Sequence, residues 1–317
     1  MKEFTENTPL YRVRHCKEFA QMKDHLLNPY SLRFFAQFSS LKTGRYVFAN
    51  NLKDTARALN KMREMAREKT LVYRSLSHEA TGYFAFLIGK DGPFVLVIPG
   101  GGYHDVCSMA EGFPVAVKLN ELGYNAYVGL YRVGREARFP NPQDDVAEIL
   151  KDIFERAEED GVQTKGYALC GFSAGGHLAA SMATKTVGLP AYGLPLPKTL
   201  LLGYPVVTMG TFTHKGSRNA LLGKEKDNFK LQEKYSIERQ VDESYPSTYL
   251  WQCIDDPAVP VENSKMLVEA LRAHSVRYEY HPVEGKGHGW GLAIGTSAEG
   301  WLERAVAFWQ ESDCITE

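Results

Sequence analysis

From residue 71 onward the chain switches repeatedly between two hydrophobic periods. Residues 71–75 and 83–88 are rich in β-branched and aromatic side chains and predict two strands paired antiparallel. Residues 94–98 and 126–131 are nearly continuous apolar runs, the pattern of strands buried on both faces. Between those runs, residues 111–122 fit a helix. From Asp145 onward, Val146, Ile149, Leu150, Ile153, Phe154 and Ala157 trace one helical face, and Gly161 ends it. Short strands follow at 167–170, 200–206, 248–253 and 278–283, with helices at 174–186 and 260–274. In the last helix, Thr296 and Glu299 read as a capping box ahead of an apolar face of Trp301, Leu302, Ala305, Phe308 and Trp309. Strand–helix alternation of this kind predicts an α/β fold with a mostly parallel central sheet flanked by helices.

Two segments depart from that rhythm. Residues 1–70 are polar and mixed. Asn51 is expected to cap a helix with Leu52, Ala56, Leu59 and Met62 at helical spacing, and residues 30–48 are aromatic-rich and irregular. The expectation is an N-terminal helical extension packed on the main domain, 71–317, with a cap over a pocket or an oligomer contact as the alternative. Residues 208–240 are charged and long for a connection, which predicts a lid-like insertion or pocket wall.

Charge and cysteine content narrow the function classes. Lys and Arg total 37 against 38 Asp and Glu, so the net charge of −1 gives no reason to expect binding to nucleic acid or an anionic membrane. Cys16, Cys107, Cys170, Cys253 and Cys314 are scattered and lack CxxC spacing, so neither a disulfide framework nor a metal site is expected. Reduced thiols, no secretion-signal pattern and no apolar run of membrane-spanning length make a cytoplasmic location the expectation.

Three local patterns carry chemistry. Gly171-Phe172-Ser173-Ala174-Gly175 is a G-x-S-x-G between an apolar strand and a helix. A nucleophilic serine needs such a tight turn, and the glycines let backbone and helix approach it. Pro99-Gly100-Gly101-Gly102-Tyr103 directly follows the strand 94–98. Bare N–H groups there suit an oxyanion, so Gly101, Gly102 and Ala174 are the expected donors. Near the C-terminus, Asp256 follows one strand and His288, flanked by glycines, follows another. The order Ser, Asp, His is that of the α/β-hydrolases, and each candidate stands just past a strand's C-terminal end. Among the other histidines, His177 is expected to pack, His281 lies within a strand, and His104 adjoins the glycine loop near the substrate. Asp255 competes with Asp256 on position alone. Tyr103, Tyr131, Trp251 and Trp290 are candidate aromatic walls, with core packing as the competing role.

These blocks in this order resemble the acetyl-esterase and acetylxylan-esterase-like branch of the α/β-hydrolases, related to hormone-sensitive lipase. The resemblance covers about residues 80–310 and is carried by Pro99–Tyr103, Tyr131-Arg132-Val133, Phe139-Pro140-Asn141-Pro142 with Asp145, 171–177, Gly216-Ser217 with Leu221-Leu222-Gly223, 256–260 with Asn263-Ser264, and 288–292. It favours Asp256 over Asp255 by its spacing to Val259-Pro260 and Asn263-Ser264. Pro99 stands where hormone-sensitive-lipase relatives carry a histidine, and residues 1–70 have no counterpart. The resemblance implies the α/β-hydrolase fold, a Ser173–His288–Asp256 triad and no cofactor. The implied partner is a small-molecule ester, with acetylated sugars among the candidates; association into a homo-oligomer is left open. Tyr103, His104 and Trp290 are the expected substrate contacts. A peptidase related to prolyl oligopeptidases is disfavoured because 317 residues leave no room for their propeller. An inactivated binding module is disfavoured because all three triad members are present.

Overall fold

The computed structural model describes residues 2–26 and 51–311; the aromatic-rich stretch 30–48 and Cys314 lie outside the described residues. Eight strands form one sheet: β1 (Leu71–Ser75), β2 (Gly82–Phe86), β3 (Pro93–Ile98), β4 (Ala126–Leu130), β5 (Gln163–Phe172), β6 (Thr199–Gly203), β7 (Ser247–Cys253) and β8 (Tyr278–Val283). Their spatial order is β1-β2-β4-β3-β5-β6-β7-β8. β2 runs antiparallel to both neighbours, and every other pair is parallel. The predicted mostly parallel sheet is therefore present, with its two antiparallel pairings at one edge.

The α-helices are α1 (Leu10–Arg14), α2 (Leu52–Glu68), α3 (Phe113–Glu121), α4 (Asn141–Glu155), α5 (Ala157–Asp160), α6 (Ser173–Met182), α7 (Lys215–Leu222), α8 (Phe229–Tyr235), α9 (Glu262–Ala273) and α10 (Trp301–Glu311). Alternation along the central strands divides the core. Phe94, Leu96 and Ile98 join Ile149 and Leu150 of α4, Leu178 of α6 and Leu267 of α9 on one face. Val95 and Val97 join Leu59 and Met62 of α2, Val115 of α3 and Trp301 of α10 on the other. Burying one such side chain fully contributes about 2 kcal/mol, so both layers hold the central strands in place.

The N-terminal residues belong to the second of these layers. Phe4, Leu10, Val13, Phe19 and Met22 are buried with the apolar stripe of α2. Residues 208–240 are fastened to the first layer by Leu221, Leu222, Tyr235 and Ile237. The His214 ring caps α7 by accepting the Ser217 N–H, and Asn228 caps α8 through Lys230 N–H.

Three local expectations are corrected. α4 starts at Asn141 rather than Asp145, because Pro142 is preset for a first helical turn. The buried Asp145 carboxylate instead accepts from the N–H and Nε of Arg132, at 2.7 and 2.8 Å. Thr296 and Glu299 do not cap the last helix, which begins at Trp301. The Thr296 hydroxyl accepts from Ala298 N–H, and Glu299 accepts from Gly295 N–H, so both order the preceding turns. Asn51 precedes α2 but makes no cap bond. Its buried amide donates to the carbonyls of Gly289 and Ala110.

Candidate active site

β5 passes into α6 without a loop, and the turn falls on Ser173 at φ 52°. A non-glycine residue in left-handed backbone costs about 1–2 kcal/mol, which the packing around the elbow supplies. That packing leaves room only for glycine on either side. A Cβ on Gly171 would lie 2.5 Å from the Gly175 carbonyl oxygen, and one on Gly175 would lie 2.2 Å from the oxygen of Ile98. The serine is thus pressed against the end of β3 and held at the sheet's carboxyl edge, with its residue 6% exposed.

His288 lies on the turn after β8, and Asp256 on the turn after β7. The two turns bring their side chains to the serine. His288 Nε2 is 2.8 Å from Ser173 Oγ, and His288 Nδ1 is 2.8 Å from Asp256 Oδ2. A carboxylate only accepts, so Nδ1 carries the ring hydrogen and Nε2 is free to accept from the hydroxyl. The Asp256 side chain is fully buried, and its oxygens take N–H groups from Ala258 and Val259 and the amide of Gln252. Asp255 is exposed to solvent, which separates the two aspartates.

The glycine loop closes the other side. The Gly101 carbonyl accepts the N–H groups of His104 and Asp105, folding residues 101–105 into a tight turn. Gly101, Gly102 and Tyr103 all take positive φ there, at 131°, 66° and 60°. Among the described residues, no protein acceptor takes up the N–H of Gly101 or Gly102. Ala174 is in the first turn of α6, where N–H groups have no partner within the helix.

Three of the four candidate aromatic walls, Tyr103, Tyr131 and Trp251, pack as core instead. Tyr103 is wholly buried beneath the loop, and its hydroxyl bonds to Nδ1 of His177 at 2.8 Å. The other nitrogen of His177 donates to the Tyr235 carbonyl, so Tyr103 is the donor in that pair. Burial pushes His177 down to about 4, so the ring is neutral and packs, as expected for it. Tyr131 donates to the Pro99 carbonyl, and both Tyr131 and Trp251 are buried. These side chains shape the loops from behind. Trp290 is half-buried over Gly287, whose Cβ position is 2.1 Å from the indole, so it braces the His288 turn. His104 is exposed to solvent, beside Gly102.

Sequence reasoning missed His214. Its Cε1 lies 3.5 Å from the Cβ position of Gly102, which His104 also approaches, at 3.7 Å. Burial, with His288 and His104 nearby, lowers its pKa and favours the neutral ring. Because Nδ1 accepts from Ser217, the hydrogen sits on Nε2. The available signal was His214-x-x-Ser217 at the start of a helix within the insertion. No cluster of three or more His, Cys, Asp or Glu side chains able to hold a metal occurs among the described residues. Nor, among those residues, is any helix long and apolar enough to cross a membrane.

Comparison with known proteins agrees with this fold. A segment of the endo-1,4-β-xylanase B of Butyrivibrio fibrisolvens is 32% identical over 229 residues, 69% of this chain and 36% of that protein. The acetylxylan esterase of Xylanibacter ruminicola is 28% identical over 226 residues, 70% of this chain and 46% of that one. This chain therefore spans less than half the length of these two relatives. Among solved structures, an acetyl ester-xyloside bifunctional hydrolase from Caldicellulosiruptor lactoaceticus is 31% identical with a TM-score of 0.66, over 74% of this chain and 89% of that one. A Lactobacillus plantarum carboxylesterase, at 24% identity and TM-score 0.66 over 78% and 99%, shares the fold. Residues 96–292, which contain the glycine loop, the serine elbow, Asp256 and His288, match the α/β-hydrolase-fold family, and the chain belongs to it.

Proposed function

We propose that this protein is a serine esterase that cleaves carboxylic esters with short acyl groups, acetylated sugars foremost, through an acyl-enzyme. The observation that carries this reading is the continuous chain of hydrogen bonds from Ser173 Oγ through His288 to Asp256. The serine hydroxyl hands its proton to Nε2 as Oγ attacks the ester carbonyl. Asp256 holds the ring in the required tautomer and stabilises the imidazolium. The carbonyl oxygen, now negative, is received by the N–H groups of Ala174 and of Gly101 or Gly102. His288 then returns the proton to the departing alcohol, and water repeats the sequence to release the acid.

The relatives named for acetylxylan and acetyl-ester hydrolysis support the acyl group and the sugar. Residues 208–240 contribute to the site through His214, which with His104 borders Gly102. Hydrolysis of nitrophenyl acetate and of acetylated xylo-oligosaccharides tests the reading. Both activities are expected to vanish in Ser173→Ala, and a fluorophosphonate is expected to label the wild type alone. Undiminished turnover by the serine variant would end the proposal.

A further inference from the structure

Glu111 is a fully buried acid with no place in the steps above. It lies in a single π-type turn, Ser108–Gly112, immediately before α3. Wider turns of this kind are costly and recur at functional positions. The turn aims the carboxyl at the back of the glycine loop. Its Oε2 accepts the Gly100 N–H at 2.7 Å, and its Oε1 accepts the Tyr204 hydroxyl at 2.9 Å. The same Oε2 is 2.9 Å from the Cβ position of Gly100, as is the Cβ of Ser173. The acid's oxygen and the nucleophile's Cβ thus both close on the face of Gly100 where a side chain would stand, and only glycine fits between them.

Tyr204 carries the connection to the other loop. It follows β6 at φ 39°, and its ring meets the His288 ring edge-on at 4.7 Å. Its oxygen accepts the Gly291 N–H at 3.0 Å, three residues after His288. A backbone N–H can only donate, so the phenol hydrogen is committed to Glu111. Both carboxyl oxygens therefore receive hydrogen bonds, the arrangement that favours the ionised form. Burial raises the carboxyl's pKa above its ordinary value on balance, while His288, Gly100 and Tyr204 act against that rise. Cys107 and Cys170 lie near the acid as neutral thiols raised by burial.

We infer that Glu111 is a positioning residue that ties the glycine loop to the His288 loop through Tyr204, and that its buried charge stabilises the imidazolium formed during attack. The inference rests on the serine-esterase reading. An ionised Glu111 adds to the charge of Asp256 at the moment the ring becomes positive, in surroundings that screen little. Before attack the ring is neutral and gains little from it, so the effect belongs to kcat more than to KM.

The test is the pH profile of kcat/KM for Glu111→Gln beside Glu111→Asp. His288 is faced by Asp256, Glu111, His214, Ser173 and Tyr204, and only Glu111 changes. Removing its charge is expected to move the acid limb about one pH unit lower, because the imidazolium loses a partner. kcat is expected to fall about tenfold to a hundredfold. Glu111→Asp keeps the charge, so its acid limb is expected to stay near that of the wild type even where its rate drops. A folded Glu111→Gln protein with the wild-type limb overturns the inference. Where that variant does not fold, Tyr204→Phe substitutes for it: a roughly tenfold lower kcat at unchanged KM is expected, and wild-type kcat overturns the tie between the loops. Fluorophosphonate labelling of wild type and Ser173→Ala, run alongside, reports separately on the esterase reading.

Discussion

The Asn51 side chain donates a 3.2 Å hydrogen bond to the carbonyl of Gly289, next to His288. The same amide points its second donor at Ala110, beside Glu111, and the neighbouring Thr55 hydroxyl donates to Met109 at 2.9 Å. The start of α2 therefore fastens two loops of the site at once. Here Asn51 and Thr55 act through backbone carbonyls of the catalytic region.

Asn51→Ala should show this fastening directly. The change leaves a buried carbonyl short of a donor, which costs about 1–2 kcal/mol. Urea unfolding should register that loss. kcat should fall several-fold with KM little changed, since the His288 turn loosens while the substrate walls stay. Wild-type kcat in a protein destabilised by that amount would confine Asn51 to a packing role.

The aspartates give a sharper contrast. Asp256→Asn places an amide against Nδ1 and favours the wrong ring tautomer, so kcat should drop about 10⁴-fold with the fold intact. Asp255 is exposed and adjacent, and Asp255→Asn should stay within about twofold of wild type, as surface changes usually do. Comparable losses in both variants would mean that the turn, and not the carboxylate at 256, sets the rate.

His214 offers a specificity test. Its neutral ring holds a hydrogen on Nε2 and, like His104, borders Gly102. A donor there suits a sugar hydroxyl or ring oxygen on the alcohol side of an ester. His214→Ala is expected to raise KM for an acetylated sugar about tenfold, the worth of one hydrogen bond, and to leave nitrophenyl acetate nearly unaffected. A uniform rise for both substrates would assign the ring to loop support instead.

How much of this could be read in the chain varies with how local the cause is. Ser173, Asp256 and His288 meet because each follows a strand of a parallel sheet, and strand ends are visible as apolar runs closed by glycine or an acid. Tyr103 shows the limit. It borders three glycines as a substrate wall would, yet the left-handed turn at 101–103 rotates it under the loop to meet His177. No spacing in the sequence announces a partner 74 residues away. Asn51 has the residue type of a helix cap, but its amide is claimed by Gly289, 238 positions later. Glu111 is legible only as the first residue of an expected helix, because neither the π-type turn that holds it nor its partners Gly100 and Tyr204 show in the spacing.

His177 makes stability depend on pH in a predictable direction. Its ring is buried between Tyr103 and Tyr235, and burial lowers its pKa from 6.5 to about 4. Between those values the unfolded chain binds a proton that the folded chain refuses, so unfolding becomes easier as pH falls through the window. From pH 7 to pH 5 the expected loss from this residue is about 2 kcal/mol, and the whole window is worth about 3 kcal/mol. His177→Gln cannot take up that proton. The variant should be less stable than wild type at pH 7.5, where it forfeits a fitted ring, but its stability should fall about 2 kcal/mol less between pH 7 and pH 5. Urea unfolding of both proteins at the two pH values measures the difference, and parallel losses would show that other groups carry the acid sensitivity.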